Sequence, residues 1–95
     1  MKHTSPNVIK NCVTYCIGES VNMGAINDTF SLSLIAIRAI HGFENVADGC
    51  CFVINDDAKT IKINLNNKIG RDLSLVFSEF ARIEYGKTMI NKLRG

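Results

Sequence analysis

The chain has 95 residues, 46% of them hydrophobic and 21% charged, which suits one small domain and excludes intrinsic disorder, a membrane span of about 20 apolar residues, and a second domain. At this size folding hides only about 60 to 65% of the unfolded surface, so nearly every apolar position is needed for the core and a deep enzyme cleft is not expected. Eleven basic and nine acidic side chains leave a formal charge of +2, too small by itself to mark a nucleic-acid or membrane-surface protein.

Met1 to Lys10 holds no apolar stretch of the kind a secretory signal needs, and Pro6-Asn7 interrupts any such run. Residues 1–8 read as a loosely ordered segment, and a cytoplasmic location is expected. There Cys12, Cys16, Cys50 and Cys51 are expected as reduced thiols packing as small hydrophobes. Their spacing, C-x3-C followed much later by an adjacent pair, is not the paired C-x2-C of a zinc site, and neighbours on a strand point to opposite faces. No metal and no cofactor are expected.

Ile9, Val13, Tyr15 and Ile17 fall on one side at period two, opposite Lys10, Cys12, Thr14 and Cys16, which predicts a strand ending near Gly18. Between Glu19 and Asn27 the pattern leaves open a loop or a short strand over Val21 to Ile26. Phe30 to His41 is expected to be a helix of about three turns, capped by Asp28 or Thr29 and ended by Gly42. Its polar arc is narrow, running through Ser31, Arg38 and His41, so it must be covered on most sides, by a sheet and then by a partner subunit.

Cys51 to Asn55 and Thr60 to Leu65 flank Asp56-Asp57-Ala58-Lys59 and read as a hairpin, with Ile61, Ile63 and Leu65 on its buried face. Ile69, Leu73, Val76, Phe77, Phe80 and Ile83 then trace one arc of a helix whose start is capped by Asn66 or Asn67 and which Gly86 ends. Lys87 to Leu93 is either a final edge strand or a frayed tail. The expected fold is therefore α+β, a two-layer sandwich of order β-α-β-β-α-β, ferredoxin-like, with a mostly antiparallel sheet and two helices on one face.

Three features bear on function. Arg71, Leu75, Ser78, Arg82 and Tyr85 form a second stripe on the last helix, with the aromatic and arginine content of protein interfaces, and are expected to mediate self-association as a dimer. The alternative is a solvated face with one stray leucine. Lys62, Lys68, Gly70 and Arg71 suggest an anion or phosphate site at the helix start, where the backbone amides face outward, although the spacing is not that of a P-loop. Nucleic-acid binding through the same basic hairpin is a weaker expectation, because the aromatic motif of base-stacking sheets is missing. No catalytic constellation is recognisable. An enzyme would need His41, otherwise expected to bond the terminal carbonyls of its helix, to meet a cysteine or carboxylate in a cleft. The leading expectation is a small interaction module that binds a protein, most simply a second copy of itself.

Overall fold

The computed structural model describes residues 11–86 and 90–94. In chain order they form β1 (Cys12–Ile17), α1 (Met23–His41), α2 (Phe43–Gly49), β2 (Phe52–Asn55), β3 (Thr60–Asn64), α3 (Lys68–Tyr85) and β4 (Ile90–Arg94). The strands make one antiparallel sheet in the order β2-β3-β1-β4. The expected α+β class and antiparallel sheet are thus present, but the element order is β-α-α-β-β-α-β. The additional element is α2: Gly42, with φ at 91°, ends α1, and its carbonyl at once accepts from Val46 to start a new turn. Only Val46 of α2 is buried, so no apolar period announces it.

Alternation along the strands decides which face is covered. Val13, Tyr15 and Ile17 of β1 and Ile61 and Ile63 of β3 are buried beneath the helices. Thr14, Lys62 and Val53, which pair across β1, β3 and β2, lie on the opposite face. Both long helices lie on the first face, as a run of edge-on ring contacts shows. Tyr15 meets Phe77 at 5.1 Å between centroids, Phe77 meets Phe30 at 5.4 Å, and Phe30 meets Phe52 at 4.7 Å. These contacts link β1, α3, α1 and β2.

α1 begins seven residues before the expected Phe30, which settles Val21 to Ile26 as a loop leading into helix rather than a strand. Its cap is Asn22, whose side chain accepts from the Ala25 amide at 3.2 Å. Gly24 leaves room for this, since a Cβ there would stand 2.9 Å from the Asn22 carboxamide oxygen. Thr29, expected at the helix start, is instead buried in its second turn.

α3 has the expected bounds, with Asn67 accepting from the Gly70 amide at 2.8 Å and Gly86 closing its end at φ 85°. Its buried face differs from the expected arc. Gly70, Leu73, Ser74, Phe77 and Ala81 meet the core, Ile69, Val76 and Phe80 are half-buried, and Ile83 is 71% exposed. The helix has turned its small residues to the sheet. A Cβ on Gly70 would lie 2.0 Å from the Asn64 carbonyl oxygen, so only glycine permits so close an approach. β4 pairs with β1 from Ile17 to Val13 and is an edge strand, as one of the two expectations had it. The expected strand residues Ile9 and Lys10, the segment 1–8 and the stretch 87–89 lie outside the described residues.

Candidate functional site

The rotation of α3 has a direct effect on the outer surface of the helix layer. Its bulky residues face α1 and solvent, where Ile83 meets Leu32 of α1; Leu32 and Ile35, one turn further along α1, are each 56% exposed. Leu32, Phe80 and Ile83 line a shallow hollow of about 200 Å3 between the helices. Thr29 donates to the Glu84 carboxylate at 2.7 Å in its wall and ties the two helices together. Ala36 and Ala39 continue the α1 side at helical spacing. Ile40 and Phe43, also exposed, extend apolar surface around the end of α1, where the Arg38 guanidinium lies 4.9 Å from the Phe43 ring centroid. Sequence reasoning placed Ile83 in the core and did not single out Leu32 or Ile35. The narrow polar arc of the first helix was the signal that could have found them.

The stripe Arg71, Leu75, Ser78, Arg82 and Tyr85 lies on the other flank of α3, towards β4. Leu75 is 62% exposed, whereas Tyr85 is half-buried against the core. Arg71 donates from Nη1 to the Leu65 carbonyl at 3.1 Å. Arg82 pairs with Glu79 at 2.9 Å, which holds the Glu79 carboxyl below and the Arg82 guanidinium above their ordinary values. Ser78 donates to the Leu75 carbonyl at 3.0 Å within the helix. Four of the five residues border two hollows between α3 and β4, of about 360 and 180 Å3, that meet at Lys92. Lys92 pairs with Tyr15 in the sheet and therefore shares the helix-side face.

The residues expected to hold an anion are not brought together. Lys62 stands on the uncovered face of the sheet, across β3 from α3. Lys68 is tied to Asp72 at 3.3 Å. Gly70 is packed against the Asn64 carbonyl rather than opened to a ligand, and the Asn67 side chain already occupies its amide. Of the four, Arg71 alone reaches one of the hollows described above.

His41 bonds Asp72 rather than the carbonyls of its own helix: Nε2 lies 2.8 Å from the carboxylate. The hydrogen bond from His41 holds the Asp72 carboxyl below its ordinary range; burial opposes it less strongly, and Lys68 adds a further lowering. A histidine beside a carboxylate is part of many general-base arrangements. Here the same carboxylate is shared with Lys68, and neither His41 nor Asp72 lines any of the three hollows described above. The pair acts as a clasp between the end of α1 and the start of α3.

Of the cysteines, Cys51 is exposed and the other three are half-buried, so the expected burial holds only in part. Cys51 stands just before β2, an edge strand whose residues are mostly exposed. Burial, followed by the neighbouring Cys51, pushes the Cys50 thiol up, which disfavours thiolate chemistry there. Among the described residues no three His, Cys, Asp or Glu side chains converge as a metal centre requires, and no helix is long and apolar enough to cross a membrane. No family model matches the chain, and no curated protein or solved structure is detectably similar to it.

Proposed function

We propose that this protein is a small cytoplasmic interaction module that self-associates as a dimer, with the outer face of its helix layer as the seam. One observation carries the reading: Leu32, Ile35 and Ile83 are all more than half exposed on two neighbouring helices. Taking about 100 Å2 of accessible apolar surface for each, the three present about 300 Å2, the centre of an interface that typically covers about 800 Å2 per partner. Burying that area on two copies is worth about 15 kcal/mol at 25 cal/mol per Å2, against about 4 to 15 kcal/mol for lost freedom. The half-buried Val76 and Phe80 alongside add to the favourable side.

The Leu75 flank of the same helix is the other seam that the sequence suggests. It is the poorer one, because arginines surround its single large aliphatic residue and both carry intramolecular bonds. Strand order supports reading the architecture as ferredoxin-like with one inserted helix. That architecture hosts many functions and adds no weight to any of them.

Light scattering coupled to gel filtration tests the proposal on reduced protein at about 50 μM, where a Kd near 1 μM leaves most chains paired. The wild type should elute as a dimer, Ile83→Lys and Leu32→Lys as monomers, and Leu75→Lys still as a dimer. A monomeric wild type overturns self-association. Dissociation by Leu75→Lys alone moves the seam to the β4 side of α3.

A further inference from the structure

The flank of α3 that faces β4 concentrates positive charge around a cleft. Arg71, Ser74 and Leu75 wall the larger hollow, Ser78 and Arg82 the smaller, and Lys92 of β4 stands at the junction of the two. Among the described residues no carboxylate lines either hollow. On α3, Glu79 is paired with Arg82, and Asp72 with Lys68 and His41. Arg71 spends one of its donors on the Leu65 carbonyl and keeps the rest of its fork. At the floor the buried Tyr15 hydroxyl donates to the Ser74 carbonyl at 3.2 Å and also meets the Ser74 hydroxyl. Leu65, Leu75 and Ile90 supply apolar wall.

With Arg82 paired to Glu79, Arg71 and Lys92 remain as like charges beside the larger hollow, and the cost of placing them together falls when an anion enters. The two hollows differ in what they offer. Arg71 and Lys92, on α3 and β4, flank the larger one and can meet a two- or three-oxygen head from both sides. The leucines beside them accept an apolar body. By contrast, the hollow between α1 and α3 is lined by Thr29, Leu32, Phe80, Ile83 and Glu84 and carries no cation.

We propose that the cleft between α3 and β4 binds a small organic anion, a phosphate or carboxylate head on an apolar body, with Arg71 and Lys92 gripping the head and Leu65 and Leu75 packing the body. The site is independent of the dimer seam, which lies on the other flank of α3. Amide chemical-shift titration of the full chain tests it with four probes: phenyl phosphate, benzoate, inorganic phosphate and phenol. Saturable shifts are expected from phenyl phosphate or benzoate around Tyr15, Arg71 to Ser78 and Lys92, and the stronger of the two identifies the head. Inorganic phosphate and phenol should each bind more weakly, since each lacks one half of the ligand. Lys92→Ala should weaken binding about tenfold, the scale of one charge-assisted contact, and Arg71→Ala should do likewise. The same spectra report whether each variant is folded, and exposed Lys92 is the safer of the two positions. Ile83→Lys should leave binding unchanged, which separates this site from self-association. Absence of saturable shifts, an affinity unchanged in Lys92→Ala, or equal affinity for inorganic phosphate would overturn the proposal.

Discussion

Lys59 closes the β2–β3 turn in the left-handed region, with φ at 55°, a conformation that favours glycine or asparagine and that no other described non-glycine residue adopts. What offsets the backbone cost is the side chain. Its ammonium donates to the carbonyls of Gly18, Glu19 and Val21 at 2.9, 3.0 and 2.7 Å, three acceptors of the β1–α1 loop, of which Gly18 also takes the Val21 amide. A hydrogen bond to a charged group contributes about 1.5 to 3 kcal/mol, whereas ordering the lysine side chain costs about 2 kcal/mol and the left-handed backbone about 1 kcal/mol. Three such bonds outweigh those two costs by about 1.5 to 6 kcal/mol, and about 2 kcal/mol is expected because the lysine is only half-buried. Lys59→Met keeps the stem and loses the charge, and should lower the urea midpoint by about 2 M at an m value near 1 kcal/mol per M. Lys59→Gly relieves the backbone but loses the same bonds and gains unfolded-state freedom, so it too should fall below the wild type. Far-ultraviolet circular dichroism in urea reads both. A Lys59→Gly protein as stable as the wild type would refute the reasoning, because the turn would then be governed by its backbone alone.

Two further predictions follow from the packing and charge of α3. Gly70→Ala sets a Cβ against backbone that cannot swing aside, at 2.0 Å from the Asn64 carbonyl oxygen, and should cost about 3 kcal/mol in denaturant melts; a loss below about 1 kcal/mol would show that α3 can lift from β3 freely. The Asp72 carboxyl is held below its ordinary value in the fold, so its contribution is complete above the unfolded value of about 3.9 and is lost as pH falls through the folded value. Asp72→Asn should therefore be less stable at neutral pH and show a shallower acid limb in urea midpoints collected from pH 7 downwards, and an acid limb identical to the wild type would dismiss the clasp.

The hairpin was legible because strict alternation in Thr60 to Leu65 coincides with a turn rich in aspartate, and every buried position expected there is buried. The bounds of α3 were legible for a similar reason: Asn67 and Gly86 are strong local signals, and nothing tertiary competes with them. The orientation of that helix was not. A helical wheel weighs apolarity, while the sheet selects for size, and Gly70, Ser74 and Ala81 win the contact because they let the axes approach. The start of α1 was hidden by Gly24, which reads as a breaker in isolation and serves as clearance for the Asn22 cap in context. The candidate sites divide along the same line. The flank bearing Arg71, Leu75 and Arg82 could be found by spacing on one helix, but Lys92 joins it through a strand pairing between residues far apart in sequence, and that long-range pairing has no local trace.

Exposed Cys51, just before the edge strand β2, offers a route to paired chains that is separate from the proposed apolar seam. Air oxidation of two such thiols links chains through sulfur, at a margin of the sheet remote in sequence from Leu32 and Ile83. A covalent pair of that kind survives dilution and detergent and yields to reductant, whereas a helix-packed pair does the reverse. A reductant in the buffer therefore separates sulfur-linked pairs from the proposed helix-packed ones.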